Sequence, residues 1–76
     1  MMNYDYLVDA TGDSCPMPLL KAKRQLNAMK AGECLKVIAT DEASVRDFSS
    51  FIALTDHKLE KEQLEQDLFI YYIVKM

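Results

Sequence analysis

The alternation of apolar and polar residues predicts a strand near the start of the chain. Over residues 4–9, Tyr6 and Val8 take every second position, which is the period of a β-strand. Gly12 and the Asp13-Ser14 pair then interrupt the pattern with residues that favour turns. The first element is therefore predicted to be a short strand that leads into a turn-rich loop.

A helix is predicted next, over residues 16–30. Apolar side chains recur there at helical spacing and form a stripe made of Leu19, Ala22, Leu26 and Met29, with Leu20 widening it. Pro16 and Pro18 suit the first turn, because the first amides of a helix have no acceptor within it. Gly32 is predicted to supply a left-handed C-terminal cap.

The remainder of the chain predicts one further helix and three further strands. Their boundaries are residues 33–40 for a strand, 41–55 for a helix, and 57–65 and 68–75 for two more strands. Asp41 is a good N-cap for the second helix. That helix is expected to bury an apolar stripe of Val45, Phe48 and Ile52.

The order β-α-β-α-β-β has a consequence for the fold. Crossovers between parallel strands are nearly always right-handed, so two crossovers on the same side place both helices on one face of the sheet. The expected fold class is α/β (α+β), an open two-layer α/β sandwich with a four-stranded mixed sheet and both helices on one face. With 76 residues, the chain is expected to form a single domain over residues 1–76.

The last strand is apolar on both faces, although only one face of the sheet is covered by helices. Phe69, Tyr71 and Ile73 alternate with Ile70, Tyr72 and Val74. One interpretation is that Met1, Met2 and the N-terminal tyrosines partly cover the open face. The other is that a partner or a second copy of the chain covers it, which would make a homodimer.

Composition narrows the classes of protein. Half of the residues are apolar and 28% are charged, which excludes a disordered chain. No apolar run approaches the roughly 18 residues of a membrane span. The N-terminus has neither the basic residues nor the long apolar stretch of a signal peptide. We therefore expect a cytoplasmic protein that does not bind membranes and whose two cysteines stay reduced.

The charge distribution bears on partners. A net charge of −3 argues against direct binding of nucleic acid, which depends on neutralising phosphates. Residues 16–30 depart from the acidic average, because they contain four basic side chains and no acidic one. These basic side chains are either an ordinary solvated helix surface or a docking surface for an acidic partner protein. Lys21 and Arg24, which lie near the helix start and one turn apart, are the residues expected at such a docking surface.

Cys15 is the residue with the clearest chemical potential. It directly precedes Pro16 at the predicted start of the first helix, where the helix dipole and unpaired amides favour the thiolate. Thiolates attack sulfur, so this position is typical of a reactive thiol, although the nearby Asp13 carboxylate opposes ionisation. On position alone, a small packing residue at a helix start is an equally good interpretation.

The segment around Cys15 resembles the signature of the TusA/SirA/YedF family of small sulfur-carrier proteins. The matching residues are Asp9, Gly12, Cys15, Pro16 and Pro18, followed by Leu19-Leu20-Lys21. Weaker matches run through the rest of the chain at Gly32-Glu33, Asp41, Arg46-Asp47 and Ile73-x-Lys75. The resemblance implies the two-layer fold of that family and a site in which Asp9, Gly12, Pro16 and Pro18 shape the surroundings of Cys15.

The resemblance also implies an activity. Cys15 would accept a persulfide from a pyridoxal-phosphate cysteine desulfurase and relay it to a downstream sulfur acceptor, in a pathway such as tRNA thiolation. The carrier itself would need no cofactor, since the pyridoxal phosphate belongs to the donor. Thr11, Asp13 and Ser14 depart from the family pattern, make the surroundings of the thiol less cationic, and leave the partner open. The alternative is a non-catalytic interaction or regulatory module that uses the first helix and the open sheet face.

Two other residues invite chemical hypotheses. Cys34 could form a redox pair with Cys15, but the spacing is not that of a Cys-x-x-Cys motif, and a strand residue at the sheet surface or edge is the preferred interpretation. His57 is the only histidine and has no cysteine spaced near it, so no metal site is expected.

Overall fold

The structure is a computed structural model that describes residues 4–76. Its elements follow the predicted order and are β1 (Tyr6–Ala10), α1 (Met17–Ala28), β2 (Cys34–Ala39), α2 (Ala43–Leu54), β3 (Lys58–Glu65) and β4 (Leu68–Val74). Within residues 4–76, neither helix is long and apolar enough to span a membrane.

The four strands form one open mixed sheet in the order β1-β2-β4-β3. β1 runs parallel to β2, with Val8 beside Val37, whereas β4 is antiparallel to both of its neighbours. Both helices pack on the same face and share a single core, made of Ala22, Leu26, Met29, Leu35, Val37, Ala39, Phe48, Tyr71 and Ile73. The predicted two-layer architecture is therefore confirmed.

The parallel pairing of β1 and β2 determines where the two helices begin. Each of these strands is followed by a helix, so both helices start at the same edge of the sheet, beyond the carboxyl ends of the two strands. In open α/β sheets this edge is where functional sites are commonly found. The loop that contains Cys15 and the loop that contains Asp41 consequently meet there.

The first helix differs from the prediction at its end and on its apolar face. α1 ends at Ala28, and Met29 caps it in an extended conformation, so the cap is not Gly32. Gly32 does have a positive φ of 90°, but it lies in the turn that leads into β2. Leu20 is 44% exposed and does not widen the buried stripe.

The buried stripe of α2 differs from the prediction at its first position, and Ile52, at its other end, is half-buried against the core. Ser44 is buried, whereas Val45 is exposed. A hydroxyl can replace an apolar group here because Ser44 Oγ lies 2.8 Å from Tyr71 Oη, and the two hydroxyls satisfy each other. Phe48, as predicted, is fully buried and stacks on the Tyr71 ring with 4.4 Å between centroids.

The face of the sheet away from the helices is only partly covered. The Tyr4 ring packs against Tyr72 with 6.4 Å between centroids, and Lys36 Nζ lies over both rings. Leu7 remains half exposed. Met1 and Met2, the other residues expected to cover this face, lie outside the described residues. At one edge of the sheet, β3 pairs with β4 in a register that is irregular between Leu59 and Lys61.

Candidate thiol site

The loop between β1 and α1 is held by short-range hydrogen bonds. Asp9 Oδ1 accepts from the Thr11 amide at 3.0 Å and from the Thr11 hydroxyl at 2.7 Å, which closes the turn and lowers the pKa of the Asp9 carboxyl. Gly12 follows with a backbone φ of 82°, a value that residues with a side chain rarely adopt. Its amide donates to Thr40 Oγ1 at 2.8 Å, so the loop is joined to the end of β2.

Asp41 connects the backbone of Cys15 to the start of α2. Its Oδ2 accepts from the Cys15 amide at 2.7 Å, and its Oδ1 accepts from the Ala43 amide at 3.0 Å. Glu42 is the residue that directly precedes α2 and makes no capping hydrogen bond, so Asp41 performs the capping function that the sequence predicts. Both hydrogen bonds favour the ionised carboxylate and lower the pKa of Asp41.

The Cys15 thiol is exposed and donates a hydrogen bond to Asp47 Oδ2, with 2.6 Å between Sγ and Oδ2. This hydrogen bond is the main reason that the pKa of Cys15 is raised. Partial desolvation and the negative charges of Asp47 and Asp41 add to it, and Arg46 acts in the opposite direction. The expectation of a favoured thiolate at a helix start is therefore wrong for the isolated protein, because a carboxylate faces the thiol.

The amides expected to stabilise a thiolate are largely absent or already bound. Pro16 and Pro18 have no N–H, the Met17 amide donates to Ser14 O at 2.8 Å, and the amide of Cys15 itself is bound by Asp41. Pro18 is fully buried, so it anchors the first turn of α1 against the core. Pro16 is exposed beside the thiol.

The basic side chains of α1 are partly paired within the chain. Lys21 forms an ion pair with Asp13, so its charge is less available than the sequence predicts, and Asp13 is engaged away from the thiol. Lys23 Nζ lies 5.5 Å from the centroid of the Phe51 ring. Arg24 is exposed and has no ion-pair partner among residues 4–76. Arg24 is thus the better candidate of the two predicted docking residues.

Cys34 lies too far from Cys15 for a redox pair. It begins β2, whereas Asp41, which binds the Cys15 amide, follows the other end of that strand. At roughly 3.3 Å per residue, the two positions are on the order of 20 Å apart, against the about 7 Å that a disulfide tolerates. Cys34 is half-buried at the sheet surface but not at an edge, because β2 lies between β1 and β4.

The remaining ligand-type residues are dispersed. His57 Nδ1 accepts from the Met76 amide at 3.2 Å, a contact between the start of β3 and the end of the chain. In the part of the chain that the structure describes, no three His, Cys, Asp or Glu side chains come together to hold a metal ion.

The two carboxylates that contact Cys15 were not predicted as parts of the site. The sequence predicts Asp41 as a helix cap and gives both Asp41 and Asp47 as weak matches to a family pattern. The signal that could have identified them is topological, since the parallel β1 and β2 bring both helix starts to one edge. A carboxylate one turn into α2 then lies within reach of a residue that precedes α1.

The fold and the site define a class, namely a small two-layer α/β protein that presents one exposed thiol where two helices begin. Residues 6–75 match the family model described as sulfurtransferase TusA. The chain is 44% identical to the sulfur carrier protein TusA of Allochromatium vinosum over 75 residues, which cover 99% of each chain. It is 36% identical to TusA of Pseudomonas syringae over 97% of this chain and 88% of that one. The chain therefore belongs to the TusA family of sulfur carriers.

A solved structure supports the fold independently. The crystal structure of a SirA-like protein from Desulfitobacterium hafniense superposes with a TM-score of 0.82, covering 92% of this chain and 96% of that chain. The two sequences are 21% identical, so this likeness concerns the fold. Membership of a sulfur-carrier family implies, in general terms, one partner that donates sulfur and one that accepts it.

Proposed function

We propose that the protein, acting as a single domain over its 76 residues, carries sulfur as a persulfide on Cys15. The observation that carries the proposal is the exposed Cys15 thiol at the edge where both helices begin, in a chain of the TusA family. The donor is a cysteine desulfurase and the acceptor is a second protein, in the cytoplasm. Thiolation of tRNA is one destination for the sulfur, through that acceptor and without direct contact with nucleic acid.

The transfer is a thiol–persulfide exchange. Cys15, as the thiolate, attacks the outer sulfur of the donor's persulfide, so a bond forms between Cys15 Sγ and that sulfur while the S–S bond of the donor breaks. The donor cysteine leaves as a thiolate and takes up the proton that Cys15 gave up. A thiol and a persulfide enter, and a persulfide and a thiol leave, so no external oxidant or reductant is needed. No cofactor of this chain takes part.

The surroundings of Cys15 suit a docking reaction better than catalysis on a small molecule. The thiol is exposed, and Asp9, Gly12 and Pro18 act on the loop and on the helix start. These residues restrain the backbone around the thiol. The group that converts the thiol to the thiolate must therefore come from the donor enzyme. Arg24, with Lys21 as a weaker contributor, would attract an acidic surface of that donor.

Intact-protein mass spectrometry tests the proposal. The protein is incubated with a cysteine desulfurase and free cysteine, and the mass increase of one sulfur atom is sought and mapped to a peptide. Label on Cys15 that is lost in Cys15→Ser and kept in Cys34→Ser supports the carrier function. Absence of label with desulfurases of several classes would contradict it.

The open sheet face favours a second candidate, an interaction module that works without sulfur. Leu7 and Tyr4 are exposed there, beside the half-buried Ile38. A second copy of this chain is the occupant to test first, because a homodimer would bury these groups symmetrically. Light scattering over a range of concentrations should then give the dimer mass, and Ile38→Lys should give the monomer. A monomer at every concentration would contradict self-association.

A further inference from the structure

The contact between Cys15 and Asp47 is favourable for one chemical form of the cysteine and unfavourable for the other. In the unloaded form, the neutral thiol donates to Asp47 Oδ2, and this contact is favourable. In the loaded form, the thiol proton is replaced by a second sulfur. A persulfide is a stronger acid than a thiol, so the outer sulfur carries negative charge at neutral pH.

Space at the site excludes the outer sulfur from the position of the proton. Sγ of Cys15 lies 2.6 Å from Asp47 Oδ2, and an S–S bond is about 2.05 Å long. An outer sulfur that took the direction of the S–H bond would overlap the carboxylate oxygen. Rotation about the Cβ–Sγ bond, alone or together with rotation about the Cα–Cβ bond, is therefore required when Cys15 is loaded, and the exposed position of the residue permits it.

The charges around the thiol act in the same direction. From α2, Asp47 repels an anionic sulfur, and Asp41, before α2, adds a second negative charge. Arg46 is the cation that offsets them. On the side of α1, Lys21 is engaged by Asp13. The balance of charge at Cys15 is thus negative, and a negative balance disfavours an anion.

We propose that Asp47 is a positioning residue that binds the unloaded thiol and repels the loaded sulfur, so that the persulfide turns away from α2 and is readily given up. The inference rests on the proposed sulfur-carrier function and concerns how strongly the carrier retains its cargo. Asp47 does not take part in the bond changes; it acts by stabilising the empty form relative to the full one. A carrier needs this property because a tightly held sulfur would not be passed on.

The retention of sulfur can be measured at equilibrium. Protein in the Cys34→Ser background is mixed with glutathione and glutathione persulfide, and the exchange converts Cys15 persulfide plus glutathione into Cys15 thiol plus glutathione persulfide. Asp47→Asn should raise the ratio of loaded to unloaded protein about fivefold, since the favourable thiol contact and the repulsion are both lost. Asp47→Glu keeps the charge and should stay near the wild-type ratio. An unchanged or lower ratio in Asp47→Asn would overturn the proposal.

A second readout concerns the unloaded thiol alone. Iodoacetamide reacts with the thiolate, so its rate at neutral pH should rise about threefold in Asp47→Asn, less than the gain in thiolate because a weaker base is also a weaker nucleophile. The midpoint of the pH–rate profile should move to lower pH. Glu42→Gln removes a carboxylate from the start of the same helix without touching the thiol and should follow the wild type. A profile for Asp47→Asn that coincides with the wild type would contradict the role of Asp47.

A measurement on the wild-type protein covers the case in which Asp47→Asn does not fold. The carboxyl carbon resonance of Asp47 should shift when Cys15 is converted to the persulfide, and that of Asp9, which binds Thr11, should shift much less. Equal shifts, or none at Asp47, would overturn the proposal. Because these experiments load Cys15 chemically, they are independent of any desulfurase. Failure of enzymatic loading would therefore contradict the proposed function and leave this inference to be judged by its own results.

Discussion

The backbones of the two cysteines are bound in similar ways, whereas their thiols are restrained in different ways. An aspartate carboxylate binds the backbone amide of each, Asp41 at Cys15 and Asp5 at Cys34, with distances of 2.7 and 2.8 Å. The pKa of both thiols is raised, by the hydrogen bond to Asp47 for Cys15 and by burial for Cys34. A docking partner can displace a hydrogen bond on the surface, whereas burial lasts as long as the fold. The two cysteines therefore differ in the kind of restraint on the thiol and not in the direction of the pKa shift, and the removable restraint lies at Cys15, the cysteine proposed to carry sulfur.

The largest expected effect is on persulfide loading. Cys15→Ser should abolish the mass increase of one sulfur atom after incubation with a desulfurase and cysteine, because no other exposed thiol is present among residues 4–76. Cys34→Ser, the matched control, should load as the wild type does. Loading that survives in Cys15→Ser and disappears in Cys34→Ser would reverse the assignment of the two cysteines. Circular dichroism should show both variants folded.

The next effect is the difference in reactivity towards a small neutral reagent. In the folded protein, iodoacetamide should modify Cys15 at least about tenfold faster than Cys34, since burial both shields Cys34 and disfavours its thiolate. Peptide mapping at early times measures the two rates. In urea the restraints disappear, and the rates should become similar. A rate difference that persists in urea would mean that local sequence, and not the fold, separates the two thiols.

A smaller effect is expected from charge reversal near Cys15. Arg24→Glu should slow association with the desulfurase several-fold at low salt, because a rim charge acts mainly through the association rate. Lys21→Glu should contribute less, since Lys21 is already paired with Asp13. The loss should shrink as salt is raised.

The control for this prediction reverses charge on the side of the other cysteine. Lys58 and Lys61 lie on β3, and Lys58 is opposite Val74, whose other neighbour is Cys34. Changing both to Glu alters the net charge as much as combining Lys21→Glu with Arg24→Glu on α1. If it slows association equally, the basic face of α1 has no specific role and net charge alone is responsible. Surface plasmon resonance at several salt concentrations measures both.

The smallest effect concerns acid stability. The pKa of Asp41 is lowered by hydrogen bonds from the Cys15 and Ala43 amides, so its contribution to stability is present above the ordinary pKa of aspartate. That contribution is lost as pH falls through the lowered pKa of the folded state. The urea midpoint of Asp41→Asn should be lower at neutral pH and should fall less on acidification than that of the wild type. Glu42→Gln, which removes neither hydrogen bond, should keep the acid-side loss; a flattened curve there would assign the effect to general charge.

Much of the fold could be predicted from local patterns. The period of two in β1 and β2 and the period of nearly four in α1 each mark one buried face, and the order of the elements then limits the sheet to few arrangements. The predictions were wrong where a polar residue took a buried position, or where a structural feature depends on contacts between residues distant in sequence. Ser44 is buried because Tyr71, distant in sequence, supplies its hydrogen bond. The register irregularity of β3 likewise depends on its pairing with β4.

The site could be predicted only in part. Cys15 and its prolines are contiguous, so their motif is visible in the sequence. The charge around the thiol cannot be predicted from the sequence in this way, because Asp41 and Asp47 are distant in the chain. They reach Cys15 through the parallel pairing of β1 and β2. The sequence-adjacent carboxylate, Asp13, is instead engaged by Lys21. Sequence distance was therefore a poor guide to which carboxylate faces the thiol.

Two residues of α2, Ser44 and Phe48, contact Tyr71, and these two contacts affect the orientation of Asp47, which binds the Cys15 thiol. Apolar contacts alone tolerate small rotations of a helix about its axis, since one methyl group packs nearly as well as another. The hydroxyl pair of Ser44 and Tyr71 is satisfied in only one rotational setting, and the stacking of Phe48 on the same ring fixes a second point one turn later. Asp47 lies between these two points on the helix. The buried Tyr71 thus sets the rotation of α2 about its axis, and with it the direction from which the Asp47 carboxylate contacts Cys15. Loss of the contacts to Tyr71 would turn that carboxylate away while the helix and the sheet remained packed.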